Sequence, residues 1–159
     1  MSIRRYQLQY GALWGAAAFI TGLTATYFVI PPDLFDIEKW RTAAWLFLNA
    51  NGVPITGIRG LGLSGIGSNV NLIDATDQLR ALYVLPPLLV TFAAVLTGDS
   101  LRYTTRLKYV FQNCAGAITG YIGAALVTIL SSGARPGIAV IILLGGLLGG
   151  GLFIGSTVA

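Results

Sequence analysis

Residues 137–158 read GIAVIILLGGLLGGGLFIGSTV, without a single charged side chain. As a helix rising 1.5 Å per residue this run covers about 33 Å, enough to cross a hydrocarbon core of about 30 Å. Gly145 and Gly149, Gly146 and Gly150, and Gly151 and Gly155 each stand four residues apart. In lipid, where hydrophobicity cannot drive association, small residues at that spacing let helix backbones approach closely. The stretch predicts a membrane helix built to touch another helix, and the runs before it read as its companions.

Working backwards, 131–136 is a short turn carrying Arg135, and 109–130 is a second long apolar run with Gly116 and Gly120 four apart. The two runs predict an antiparallel hairpin. The stretch 98–108, GDSLRYTTRLK, gathers Arg102, Arg106 and Lys108. Before it, Asp74 reads as an N-cap and Asp77 sits where a carboxylate complements the helix dipole. The helix that follows has an apolar part at 81–97, and Pro86-Pro87 is expected to kink it by removing backbone hydrogen bonds. The first apolar run, 10–30, carries Gly11 and Gly15, and Pro31-Pro32 should end it. A cleavable signal peptide also follows a basic patch such as Arg4-Arg5, but its apolar region is shorter, so this segment is read as a span.

Composition agrees. Hydrophobic residues make up 55% of the 159-residue chain and charged residues 10%, against about 25% in a soluble domain. A net charge of +4 is too small and dispersed for nucleic-acid binding. With no histidine and one cysteine, Cys114, an internal disulfide is impossible, and a zinc or haem site would lack its usual ligands. No metal, cofactor or catalytic residue is expected. Every carboxylate falls outside the apolar runs, and Cys114 within the third reads as a small apolar filler. Ion-coupled carriers place ionisable groups inside the membrane, and these runs place none there. The polar residues Thr21, Thr24, Thr91, Gln112, Asn113, Thr119, Tyr121 and Thr128 could line a narrow path in an oligomer, or hydrogen-bond across helices.

Between the first two spans lies a loop, 31–80. Its first part, DLFDIEKWRTAAWLFLN at 33–49, places Ile37, Trp40, Ala44, Phe47 and Leu48 on one side at helical spacing, with Asp36, Glu38, Lys39 and Arg41 at its start. This suits a helix at the membrane–water boundary, or one packed on its own bundle. The stretch 51–71 is rich in glycine. Within it, 60–65 formally matches G-x-G-x-x-G, but without the strand and helix that the dinucleotide fingerprint requires. It reads as an apolar loop pressing on the bundle or on a neighbouring protein.

With four spans, one side of the membrane holds Arg4, Arg5, Arg102, Arg106 and Lys108 against Asp99 alone. The other balances Lys39, Arg41, Arg59, Arg80 and Arg135 with Asp33, Asp36, Glu38, Asp74 and Asp77. The clustered basic residues place both termini in the cytoplasm.

The segment 40–54, WRTAAWLFLNANGVP, contains Trp45, Phe47, Asn49 and Ala50 in a W-x-F-x-N-A run after the first span. In this it resembles a group of small four-span membrane proteins of halophilic archaea. The resemblance implies an archaeal membrane, cellular or that of a virus particle, and no known activity.

The expectation is an all-α integral membrane four-helix bundle, with spans at about 10–30, 81–97, 109–130 and 137–158 and an interfacial amphipathic helix in the outer loop. Helix packing falls to Gly116, Gly120, Gly145, Gly146, Gly149 and Gly150. Partner binding falls to Trp40, Trp45, Leu61, Leu63 and Ile66 on the outer side. The partners are the lipid bilayer and further copies or other subunits of a membrane complex. The function expected is non-catalytic, a structural or assembly subunit; the alternative is a small oligomeric channel or transporter.

Overall fold

The computed structural model describes residues 3–31, 38–53, 55–56, 73, 77–99 and 107–136. Four α-helices account for most of them: α1 (Ile3–Val29), α2 (Lys39–Ala50), α3 (Leu85–Asp99) and α4 (Leu107–Ser132). Among the described residues the remaining regular structure is a 3₁₀ helix, Asp77–Val84, and one two-residue antiparallel pairing of β1 (Ile55–Thr56) with β2 (Arg135–Pro136). The chain is in substance all-helical. The fourth expected span and the glycine-rich stretch 57–72 lie outside the described residues.

Two helices are long and apolar enough to cross a membrane, through Tyr6–Val29 of α1 and Phe111–Ser132 of α4. They pack against each other along most of their length. Leu8 faces Gly116 and Ala12 faces Gly120, while Gly11 faces Asn113 and Gly15 faces Ala117. The partners advance together along both chains, so α1 and α4 are parallel. Leu89 of α3 lies beside Gly22, and Val90 and Ala93 share a groove with Gly15 and Ala18. The numbering now rises on one helix as it falls on the other, so α3 returns antiparallel to α1.

The predicted kink at Pro86-Pro87 takes a different form. The prolines stand in the first turn of α3, directly after the eight-residue 3₁₀ helix. Prolines at 86 and 87 have no N–H to give to the carbonyls of Leu82 and Tyr83, so an α-helix cannot continue through them undisturbed. The chain arrives as the tighter helix and becomes α-helical once the prolines occupy first-turn positions, where a missing N–H costs little. Asp77 begins this 3₁₀ helix, and Asp74 lies outside the described residues.

The larger departure is α2. Every residue from Thr42 to Asn49 is buried, so α2 is packed into its own bundle and does not lie open at a membrane boundary. The run Trp45-Leu46-Phe47-Leu48 explains this, because four consecutive apolar side chains point all round a helix and leave no polar face. The charged residues Glu38, Lys39 and Arg41 sit at its N-terminal end, outside the core.

Candidate functional site

Among the described residues no three side chains of the metal-ligating types come together. The distinctive places are two contacts: the seam between α1 and α4, and the seat of α2 in the bundle.

The seam is built from two pairs of glycines, Gly11 and Gly15 on α1 and Gly116 and Gly120 on α4. A methyl group added at Gly15 would overlap the Ala117 backbone, and one at Gly120 would overlap that of Ala12. Additions at Gly11 and Gly116 meet the carbonyls of Asn113 and Leu8. Side chains therefore do not hold these helices apart; main chain rests on main chain. Such an approach multiplies short dispersion contacts, each worth only about 0.1–0.2 kcal/mol. Of the glycines proposed for packing from sequence, Gly116 and Gly120 lie in this seam, while Gly145, Gly146, Gly149 and Gly150 lie outside the described residues. Gly123, on the same helix, has open space where its side chain would be.

The second contact seats α2. Lys39 at its start lies over the Tyr27 ring, with its ammonium 4.8 Å from the centroid. Phe47, two turns on, packs beside Gly22 and edge-on to Phe19 at 5.0 Å. The helix thus enters from the Val29 end of α1 and runs back down towards its middle. Phe19 also meets Tyr121 edge-on at 5.1 Å, so three aromatic rings fill the space between α1, α2 and α4. The Tyr121 hydroxyl donates a 2.7 Å hydrogen bond to Asn51 Oδ1. Tyr121 stands eleven residues before the end of α4, which is about 16 Å along the helix. The end of α2 is therefore fastened well inside the bundle.

That end is closed. Asn51 Nδ2 and the Asn51 N–H both reach the Phe47 carbonyl, the Val53 N–H donates to the Leu48 carbonyl, and the Gly52 N–H to that of Asn49. Gly52 turns the chain with φ of +74°, a conformation that glycine adopts without steric cost. Asn49 Nδ2 then donates to the Val53 carbonyl at 2.8 Å. The last carbonyls of a helix carry its negative dipole end and can attract a cation when left open. Here the protein's own donors fill them.

Tyr121 bridges helices as expected, but the threonines do something else. The hydroxyls of Thr21, Thr24, Thr91, Thr119 and Thr128 each donate to the carbonyl four residues earlier on their own helix, and buried Thr26 does the same. Gln112 and Asn113 are buried in α4, and Gln7 in α1. The Gln7 and Gln112 Oε1 atoms and the Trp14 and Trp45 indole nitrogens have no hydrogen-bond partner among the described residues. Cys114, expected as a buried filler, is exposed and borders an apolar groove of about 290 Å³ between α1, α3 and α4.

Of the residues assigned to partner binding, Trp40 is exposed and Trp45 is buried, so a partner arriving at α2 would meet Trp40 and not Trp45. Leu61, Leu63 and Ile66 lie outside the described residues. Tyr121 and Asn51, which join α2 to α4, carry no sequence signal that pairs them across seventy positions.

Residues 2–153 match the model of a family of unknown function, DUF7978. The chain belongs to this family. The match runs through α1, the α2 seat, the α1–α4 seam and much of the last apolar stretch, so DUF7978 membership covers the whole arrangement described above. Comparison with curated proteins and with solved structures returns no match.

Proposed function

We propose that this DUF7978 protein is a four-pass membrane protein with a non-catalytic role, a structural or assembly subunit of a larger complex in a cellular or viral membrane. The observation that carries the reading is that the long helices turn many large apolar side chains outward while burying several polar ones. Leu13, Ile20, Phe28, Phe111, Val127 and Leu130 face outward, with Leu130 82% exposed, while Gln7, Thr26, Gln112, Asn113 and Ser132 are buried. Only 22% of the most apolar stretch of α1 and 33% of that of α4 is buried. A soluble core helix would bury its large apolar residues; in lipid they are the natural exterior.

Parallel α1 and α4 support an odd number of crossings between them. The 3₁₀ helix and α3 together supply roughly 38 Å of helix for that return. The apolar run 137–158 supplies the fourth span, and the basic cluster Arg102, Arg106 and Lys108 puts the 98–108 loop and both termini in the cytoplasm. On this topology α2 dips into the membrane from the outer face and leaves by the same face, with its turn enclosed by protein, as irregular backbone at that depth requires. The closed end of α2 and the aromatic filling at Phe19, Phe47 and Tyr121 support a packed scaffold over a channel.

The test places single cysteines at Ser2, Ser68 and Ser100 in a Cys114→Ala background. An impermeant thiol reagent on intact cells is expected to label only the Ser68 position. Labelling at Ser100 before permeabilisation overturns the topology. Purification in mild detergent is expected to bring down further copies or other membrane subunits, and liposomes holding the pure protein are expected to retain ions and small solutes. A solitary monomer, or liposomes that leak in proportion to protein, overturns the assembly role.

A further inference from the structure

We infer that the adjoining starts of α1 and α4 form one surface that binds the headgroup of an anionic phospholipid; the inference rests on the membrane reading above. Arg4 and Arg5 stand in the first turn of α1, and Lys108 in the first turn of α4. More than a hundred residues separate them in the chain, and the parallel seam removes that separation. Leu8 rests beside Gly116, 108 positions on, and Gly11 beside Asn113, 102 positions on. Carried back one turn, the same offsets set Arg4 and Arg5 level with the first turns of α4, where Lys108 stands. The apolar stretches fit to cross a membrane begin at Tyr6 and Phe111. All three basic residues therefore fall just before a span, at headgroup level.

The acidic side chains of the whole chain cannot neutralise this end. They are Asp33, Asp36, Glu38, Asp74, Asp77 and Asp99. Glu38 precedes Lys39, whose ammonium lies over Tyr27 at the Val29 end of α1, and Asp77 opens the 3₁₀ helix that packs on α2 and leads into α3. Asp33 follows Pro31 by two residues, Asp36 precedes Glu38 by two, and Asp74 precedes Asp77 by three. An extended chain covers at most about 3.6 Å per residue, so these three stay within about 11 Å of that far end. The 27 residues of α1 put about 40 Å between its two ends. Only Asp99, closing the antiparallel α3, shares the end with Arg4, Arg5 and Lys108. Arg102 and Arg106 lie outside the described residues, but the chain holds them between Asp99 and Leu107, and they add charge of the same sign.

The aromatic residues at this end choose a lipid over a free anion. Exposed Tyr6 stacks on Tyr10 at 5.9 Å, and Tyr10 meets Trp14 edge-on at 6.1 Å. This ladder starts level with the cations and descends along the apolar stretch of α1, as tyrosine and tryptophan do at a bilayer boundary. Cations at the head of an aromatic ladder are complementary to a phosphate at the head of a hydrocarbon chain. A free anion would leave the ladder unused, and a zwitterionic headgroup would bring its own cation towards the other three. In the bound arrangement the phosphate lies between the two helix starts and one chain descends along Tyr6, Tyr10 and Trp14.

The full-length protein, purified in mild detergent, is titrated with dioleoyl phosphatidylglycerol or dioleoyl phosphatidylcholine, and bound lipid is counted by native mass spectrometry. The wild type is expected to prefer the first anionic lipid at least about fivefold, the effect of one basic residue near an anionic surface. Lys108→Gln and the pair Arg4→Gln/Arg5→Gln are each expected to reduce the preference for that same lipid. Lys108→Arg keeps the charge and is expected to keep the preference, and Lys39→Gln, at the far end, to leave it unchanged. Equal binding of the two lipids by the wild type overturns the proposal. So does an unchanged preference in Lys108→Gln or in the arginine pair, or an equal loss in Lys39→Gln. Release of the lipid by excess inorganic phosphate marks a plain anion site and overturns it as well. Raising the ionic strength tests the wild type without any substitution: the preference is expected to fade as salt screens the contact, and a preference that persists unchanged overturns the proposal. Flotation with vesicles after alkaline extraction separates the two levels: a protein that floats without lipid preference loses only this site, and one that does not float loses the membrane reading and the site together.

Discussion

Replacing Gly120 by alanine tests the α1–α4 seam at one of its two tightest points. The added methyl group lands on the Ala12 carbonyl group and Cα, which are backbone and cannot rotate away. The helices must separate locally by roughly 1 Å to restore ordinary contact. A gap of that size forfeits about a quarter to a half of each dispersion contact near it. Some tens of such contacts at 0.1–0.2 kcal/mol each, together with the usual cost of overpacking, give a penalty of about 1–3 kcal/mol. Alanine is also the better helix former by up to about 1 kcal/mol, which offsets part of the loss. Gly123→Ala receives that gain without the penalty, since its site is open. The difference between the two variants is therefore the steric cost itself. Reversible unfolding in mixed micelles, followed by circular dichroism, should place Gly120→Ala about 1–3 kcal/mol below Gly123→Ala. Gly15→Ala should fall similarly, and the double variant less than additively, because one displacement relieves both overlaps. Agreement of Gly15→Ala, Gly120→Ala and Gly123→Ala within about 0.5 kcal/mol would refute the close seam.

Tyr121→Phe removes the hydroxyl that holds Asn51 and leaves a partly buried amide oxygen unpaired, at a cost of about 1–2 kcal/mol; a double-mutant cycle with Asn51→Ala should return a coupling of at least about 0.5 kcal/mol, and zero coupling would show that the bond does not form. Cys114, exposed beside an apolar groove, should react with membrane-permeant N-ethylmaleimide and resist a charged maleimide; equal rates would place it in water and not in lipid.

Much of the helical framework was legible because it depends on local signals. Uninterrupted apolar runs gave α1 and α4, Pro31-Pro32 marked the end of the first, and the spacing of Gly116 and Gly120 flagged a close contact. Which helix they would meet was not legible. Glycine spacing describes one surface and says nothing about its partner, and the nearest long neighbour in sequence was the last apolar stretch and not α1. The burial of α2 was half visible. Helical periodicity picked out Trp40, Phe47 and Leu48, yet the unbroken Trp45–Leu48 run already argued for burial on all sides. Thr42 and Asn49 disguised it, because polar side chains read as surface until a local hydrogen bond such as that of Asn49 to Val53 disposes of them. The 3₁₀ helix followed from the proline pair, but only once its backbone donors were counted. The β1–β2 pairing spans two residues on each side and joins positions about eighty apart, so no local pattern announces it.

The parallel seam also sets an order of events in synthesis. Leu8 and Ala12 meet their partners only after Gly116 and Gly120 have been made, some hundred residues later. At about 5–20 residues per second that is an interval of roughly 5–20 s. Throughout it the glycine face of α1 stands bare, and α3, arriving first from the opposite direction, can cover only its neighbouring side. A face able to seat one helix closely can seat another, so a second nascent chain or an insertion factor has those seconds to occupy it. Completion of α4 ends the competition, and the chain commits to its own contact late, with only the last apolar run still to be made.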